Sequence, residues 1–323
     1  MLHPLPRLLV RRAAQAIPLL VGVVTLTFVL IHAAPGDPVY LMAGDGGDAA
    51  YYKAMRARYG LDRPLPEQYL DYLKSVASGD FGFSFAYQQP VFTIICDHLP
   101  ATLLLTGSAL VLAAGIGLVV GVAGAAAPGS RPDVALRVAT TLLYSMPVFF
   151  VGQLLLLAFA SALPLFPVGG MRSLRESTAA GGPADLLSHL ALPVTSLTFS
   201  FLPLVARITR ASVLVERSRD YVRAARARGV SRAAALVGHA LPNALVPIVS
   251  ITGHHAGMLL TGAGLTEAVF AWPGLGQLLL EASTGRDYPL IIAILLTTSF
   301  AVIAANVISD VACAALDPRV GMS

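Results

Sequence analysis

The chain has 323 residues, of which 56% are hydrophobic and only 12% charged, against about 25% charged residues in soluble domains. With a mean hydropathy of +0.72, this composition excludes an ordinary soluble enzyme and predicts an all-α polytopic membrane protein. The net charge is +4, but the basic residues cluster beside apolar runs and no basic surface with exposed aromatics stands apart from them, so nucleic acid is not an expected partner.

Crossing about 30 Å of hydrocarbon takes roughly 20 apolar residues in a helix. Six runs qualify, at 13–33, 102–126, 134–162, 187–210, 244–266 and 289–311. The first follows Arg11 and Arg12 and is longer than a signal-peptide core, so it reads as an uncleaved signal-anchor helix. Pro147, Pro193 and Pro203 fall inside spans and predict kinks. Residues 35–100 predict a small extracytoplasmic cap. One helix ends at Gly60; a second opens near Pro66, ends at Gly79, and places Tyr69, Leu70, Leu73 and Val76 on one face. This cap either packs on the bundle or docks an external partner. Cys96 and Cys313 fall on opposite sides of the bilayer, which argues against a disulfide.

Arginines at 7, 11, 12, 131, 137, in the stretch 207–232 and at 319 lie on one side. That side is expected to be cytoplasmic, and six crossings put both termini there. The organisation is thus an N-terminus and first span at 1–34, a helical segment at 35–100, a five-helix core at 101–318 with a loop at about 212–242, and a tail at 319–323.

Neither lysine, Lys53 or Lys74, follows a glycine, so no phosphate-cradling G-x-x-x-x-G-K-[ST] loop exists. H-E-x-x-H and G-x-S-x-G are absent too. The spans hold almost no carboxylates, which disfavours an ion-coupled carrier acting alone.

The loop "DYVRAARARGVSRAAALVGHALP" is organised beyond a topology signal. A helix continuing from the fourth span would present Arg219, Arg223 and Arg226 on one face, pair Asp220 with Arg223, and keep Tyr221, Ala224 and Ala225 on a small-residue side. Gly229 breaks it, Ser231 caps a second helix, and Pro242 stops that helix. The pattern predicts either a topogenic loop or a rigid elbow that docks a cytosolic partner; a membrane scaffold recruiting such a partner without transport is a further reading.

In the fifth span, His254 and His255 are candidate pathway residues or helix-packing residues; they project about 100° apart, poorly placed to chelate one metal. Glycines 253, 257, 262 and 264 thin that helix for close packing. Glu267 with "VFAWPGLGQLL" reads as a tight turn with Trp272 as an interfacial anchor, in preference to a cargo contact, and His32 and His189 as structural.

Ala224, Ala225, Gly229, Leu241 and Pro242 resemble the EAA loop of permease subunits of bacterial ABC importers. The segments "APGDP" (34–38), "GLDRPLPEQYLDYL" (60–73), "GDFGFS" (79–84), "LPATLLLT" (99–106), "DYVRAARARG" (220–229), "VFAWPGLGQLL" (269–279), "RDYP" (286–289) and "LDPR" (316–319) extend the resemblance to the dipeptide/oligopeptide/nickel permease family. Two positions depart: Arg223 stands at the motif's leading acidic position and His239 at a later aliphatic one. The resemblance implies a non-enzymatic subunit of the bacterial inner membrane, surrounded by lipid. It would bind no cofactor itself. A second permease subunit, two ATP-binding subunits that hold the ATP, and an extracytoplasmic substrate-binding protein are the implied partners. Peptides are the implied cargo, with nickel or its chelates, glutathione-like peptides and opine-like compounds as alternatives. Tyr221, Arg223, Ala224, Ala225, Gly229, His239, Leu241 and Pro242 would couple to the ATPase.

Overall fold

The computed structural model describes residues 4–33, 48–58, 62–84, 86–173 and 182–316. The expected stop at Gly60, the "APGDP" segment and Arg319 lie outside them. Helix α1 (Pro4–Ala33) is followed by two short helices, α2 (Ala49–Arg58) and α3 (Leu65–Ala77), and a two-residue antiparallel pair, β1 (Phe83–Ser84) with β2 (Gln89–Pro90). Then come α4 (Val91–Ala126), α5 (Arg131–Ser145) and α6 (Val148–Leu155), the last continued by a π-helical stretch at Leu156–Ala162. Helix α7 (Pro183–Arg217) leads to α8 (Asp220–Ala227), α9 (Arg232–Ala235), a π turn (Leu236–Ala240) and α10 (Leu241–Val269). Helices α11 (Leu275–Thr284) and α12 (Tyr288–Leu316) complete the order. Among the described residues, five helical stretches are long and apolar enough to cross a membrane, and α5 with α6 makes a sixth if that bent pair counts as one span.

The third span departs from expectation. It is not a kinked helix: α5 and α6 meet at 99°. Met146 is extended, with φ −88° and ψ 129°, because the ring of Pro147 excludes its predecessor from the helical region. Pro193 and Pro203 instead lie within the continuous α7. Helix α4 begins at Val91, so position 100/101 falls inside a helix. Its extra turns bury Val91, Ile94 and Ile95 against Leu275, Leu278, Leu290 and Ile294.

Helix α7 is the axis of the bundle: 72% of its apolar window is buried, against 17% for α12. It packs most extensively on α4, and glycine makes that possible. A Cβ at Gly117 would overlap Val205, and one at Gly121 would overlap Thr209 and the Ala206 carbonyl. Small residues spaced by four let helices approach to backbone contact where lipid offers no hydrophobic drive. At the end of this seam, Asp133 accepts hydrogen bonds from Arg210 Nε (2.7 Å) and Nη2 (2.8 Å) and from the Gly129 amide (2.9 Å). Arg217 Nη1 donates to the Ala125 carbonyl at the C-terminus of α4 (2.7 Å).

At the opposite end α3 leans on α1. Phe28 meets Tyr69 edge-on with ring centres 5.3 Å apart, Thr25 Oγ1 lies 2.6 Å from Tyr69 Oη, and His32 Nε2 lies 3.2 Å from Gln68 Oε1. The inward face of α3 is Tyr69, Tyr72, Leu73 and Val76; Leu70, expected there, is 55% exposed. Gly79 has φ +79°, the left-handed stop expected of it. Cys96 and Cys313 are both free and sit toward opposite ends of the bundle.

A Gly121→Leu variant should unfold at lower temperature in detergent, with a loss of about 1–3 kcal/mol from overpacking. Gly115→Leu, where a side chain meets open space, should leave the midpoint unchanged; differential scanning fluorimetry compares the two.

Candidate functional site

Three features concentrate chemistry: the helical elbow at α8–α10, the carboxylate at the far end of α10, and the histidine pair between them.

The elbow is built into the bundle. Helix α7 ends at Arg217, and Arg219 turns extended before α8, so the expected continuous helix is broken at Ser218–Arg219 and Arg219 does not share a helical face with Arg223 and Arg226. The Asp220–Arg223 pair is present at 3.6 Å. The two alanines separate. Ala225, 1% exposed, joins Val222 in an apolar cluster with Ala125, Val213, Ala235, Leu236, Ala240 and Ala244, whereas Ala224 faces out. A 3.6-residue period turns neighbours about 100° apart, so the two adjacent small residues cannot point the same way, and packing takes Ala225 inward. Gly229 has φ +92° and open space at its Cβ position, so backbone conformation rather than crowding requires glycine there. Ser231 Oγ accepts from the Ala234 amide at 3.3 Å, the N-cap expected of it.

Pro242 does not stop the second helix. The Leu241 amide donates to Leu236 O across the π turn, and Pro242 sits in the first turn of α10, where its missing N–H is tolerated. The chain is therefore helical from Arg232 to Val269. Asn243 Nδ2 donates to the His239 carbonyl (2.9 Å). Tyr221 Oη donates to Glu216 Oε2 (2.8 Å) and lies 3.4 Å from the same His239 carbonyl. Burial, then the Glu216 carboxylate, pushes the Tyr221 phenol up to about 12. The outer surface of the elbow presents Tyr221 (40% exposed), Ala224, Arg223, Val237 (55% exposed) and Pro242, with His239 and Leu241 half-buried beside them.

At the other end of α10, Glu267 is fully buried. It accepts from Thr102 Oγ1 (2.7 Å) and from the amides of Gly276 (2.6 Å) and Gln277 (3.1 Å) in the first turn of α11. Thr102 Oγ1 in turn accepts from the Leu275 amide (2.7 Å). An acidic side chain and the threonine it holds thus cap a neighbouring helix whose first amides lack intrahelical acceptors, at the positive end of its dipole. Gly274 and Gly276 leave room for it; a Cβ at either position would run into the Glu267 carboxylate. Trp272 is no interfacial anchor. It is fully buried and donates from Nε1 to the Ala101 carbonyl (2.9 Å), because the turn before α11 folds inward onto α4. Asp287 of the "RDYP" segment plays a related part, accepting from Ser84 Oγ (2.5 Å) and from the Leu290 amide (3.2 Å). Sequence reading singled out these segments but not the carboxylates' partners.

His254 and His255 serve different surfaces. His255 lies against Phe201 of α7, with centroids 6.4 Å apart, while the exposed His254 lines a cleft with residues of α1 and α12. Their rings are 5.9 Å apart and nearly perpendicular. Close packing of α10 is real at three of the four glycines: Gly253 against Ser309, Gly257 against Val302 and Gly264 against Gly276, whereas Gly262 meets open space.

Long apolar helices, a broken span and an elbow folded under the bundle define a polytopic helical membrane protein of transport-permease architecture. The chain belongs to the family described as the binding-protein-dependent transport system inner membrane component: that family model matches residues 113–322, and its N-terminal companion matches residues 5–106. It is 37% identical to the di/tripeptide transport system permease protein DppB of Pseudomonas aeruginosa (strain UCBPP-PA14), covering 96% of this chain and 97% of that one. It is also 37% identical to the dipeptide transport system permease protein DppB of Escherichia coli (strain K12), over 97% and 98%. The oligopeptide transport system permease protein AppB of Bacillus subtilis (strain 168) is 34% identical over 97% and 98%. Among solved structures, an inward-facing MetNI methionine ABC transporter chain shares the fold, with a TM-score of 0.56 at 19% identity, covering 69% of this chain and 96% of that one.

Glu267→Gln should lower unfolding stability by about 2 kcal/mol, since a carboxyl group that accepts from three donors is replaced by an amide with a single acceptor oxygen, and Gly274→Ala should do likewise by crowding the carboxyl group; chemical denaturation in detergent measures both. The Tyr221 phenol bond contributes stability below the unfolded value of about 10 and loses it as pH rises through about 12. Tyr221→Phe should therefore remove one phenol titrating near pH 12 from the ultraviolet absorbance titration.

Proposed function

We propose that this chain is the membrane-spanning permease of an ATP-driven importer of di- or oligopeptides, forming half of the translocation pathway beside a second permease subunit. The near-full-length similarity to dipeptide and oligopeptide permeases carries this reading. The elbow end of the bundle faces the cytoplasm, with both chain termini, as its arginine content favours. Two ATPase subunits bind there and hold the ATP, and a substrate-binding protein delivers cargo at the opposite end.

In this reading Tyr221, Arg223, Ala224, Gly229, His239, Leu241 and Pro242 form or shape the ATPase-docking surface, while Ala225 anchors it from within. The apolar cluster under the elbow includes residues of α4, α7 and α10, so displacement of α8 moves these helices as a body rather than deforming a loop. Pulling two such elbows together would switch the pathway between its outward- and inward-open forms. At least one of His254 and His255 lines the pathway; the two serve different surfaces, His255 packing toward Phe201 of α7 and His254 facing α1 and α12.

Ala224→Trp adds bulk to the outer surface without entering the cluster beneath, and Gly229→Val forces a branched residue into φ +92°. In proteoliposomes containing the whole complex, both should abolish ATP-dependent peptide uptake and substrate-stimulated ATP hydrolysis while the permease remains folded. Unchanged uptake in Ala224→Trp would refute the docking assignment. Single cysteines at positions 254 and 255 should include at least one that reacts with a water-borne thiol reagent in some nucleotide state; complete protection of both in all states would remove the pair from the pathway.

A further inference from the structure

Between α1, α10 and α12 lies a cleft of about 410 Å³ whose lining is unlike the helices around it: Arg12, Ser250, His254, Asn306, Ser309 and Asp310, with Ile251 as the apolar member. Arg12 Nε and Asp310 Oδ2 form an ion pair at 2.8 Å across its mouth. Arg12 Nη1 also donates to Gln15 (3.3 Å), and a guanidinium carries five donors, so further N–H groups remain for an anion. Asn306, also on the lining, has its Oδ1 buried with no hydrogen-bond partner among the described residues.

Asp310 lies about 9 Å of helix rise from the end of α12 at Leu316. That depth is near the boundary between head groups and hydrocarbon of the leaflet at the elbow end. Helices α1 and α12 are peripheral in this chain: only 12% and 17% of their apolar windows are buried, so no other helix of the chain covers the mouth. An acyl chain entering the cleft would strip water from the ion pair and leave Asn306 Oδ1 unpaired, at a cost hydrocarbon cannot offset. The occupant must offer an anion to Arg12 and N–H or O–H donors to Asp310 and Asn306.

We propose that the cleft binds the head group of phosphatidylethanolamine, its phosphate on Arg12 and its ammonium toward Asp310 and Asn306. Charge complementarity selects this lipid. The Arg12–Asp310 pair is neutral overall and so matches a zwitterion better than an anionic phosphatidylglycerol. The choline head group of phosphatidylcholine lacks the N–H donors that Asn306 and Asp310 require. A lipid so held bridges α1 to the α10–α12 pair, whose close approach at Gly253 and Ser309 forms the back of the cleft.

The full chain is reconstituted in nanodiscs of equal phosphatidylethanolamine, phosphatidylglycerol and phosphatidylcholine, and tightly bound lipid is read by native mass spectrometry. The wild type should retain phosphatidylethanolamine about tenfold over phosphatidylcholine, the discrimination of one charge-assisted hydrogen bond. Arg12→Gln should lose the retention. The near-isosteric Asp310→Asn should shift preference from phosphatidylethanolamine to phosphatidylglycerol, a change that mere loosening of the fold would not produce. Bound lipid that mirrors the bulk mixture, a wild-type preference for phosphatidylglycerol, or an unaltered preference in Asp310→Asn overturns the proposal. So does displacement of the lipid by millimolar dialanine, which would assign the cleft to the transport route.

Discussion

Helices α4 and α7 touch backbone to backbone because Gly117 and Gly121 offer no side chain where Val205, Ala206 and Thr209 arrive. Association of helices in lipid has no hydrophobic drive, so dispersion over a close seam must supply it. This contact makes α7 the axis and determines what can pack elsewhere. Helix α6 joins through the Ser196 hydroxyl, which donates to the Val148 carbonyl, and α10 packs along the remaining side. The bend at Met146–Pro147 follows the same geometry, since α5 is held to α7 by the Asp133–Arg210 pair while α6 leaves at 99°.

Both ends of the bundle are closed by charge placed on backbone. At one end Arg217 meets the carbonyls that terminate α4; at the other Glu267 meets the amides that begin α11 and Asp287 those that begin α12. Helix ends leave donors and acceptors without intrahelical partners, and in a membrane protein water does not always reach them. Each such group ties two elements that are distant in sequence. The elbow inherits this rigidity, for Val222, Ala225 and Leu236 share one apolar cluster with the ends of α4, α7 and α10. A lever works only if its arm is stiffer than its pivot, and here Gly229 is the conformationally special residue outside the cluster.

Much of this was legible from residue order. The cap helix at Pro66–Gly79, the left-handed turn at Gly229 and the Ser231 cap all follow from local rules that need no tertiary context. The errors share one origin. Pro242 reads locally as a terminator, yet a π turn before it lets the helix run on. Ala224 and Ala225 read as one small face, yet packing buries Ala225 and leaves Ala224 exposed. Trp272 reads as an interfacial residue, yet its turn folds inward to reach Ala101. Hydropathy cannot report which side of an element its neighbours occupy.

The sequence by itself determined the class of protein and the placement of the apolar spans, because span length and turn chemistry are written residue by residue, and its ordered motifs carried the family resemblance. Only the tertiary structure decided that the third span breaks, that Glu267 caps a helix nine residues further on, and that Arg12 closes on Asp310 from the other end of the chain. Those outcomes rest on distances between elements, which arise when helices pack and have no counterpart in the order of residues.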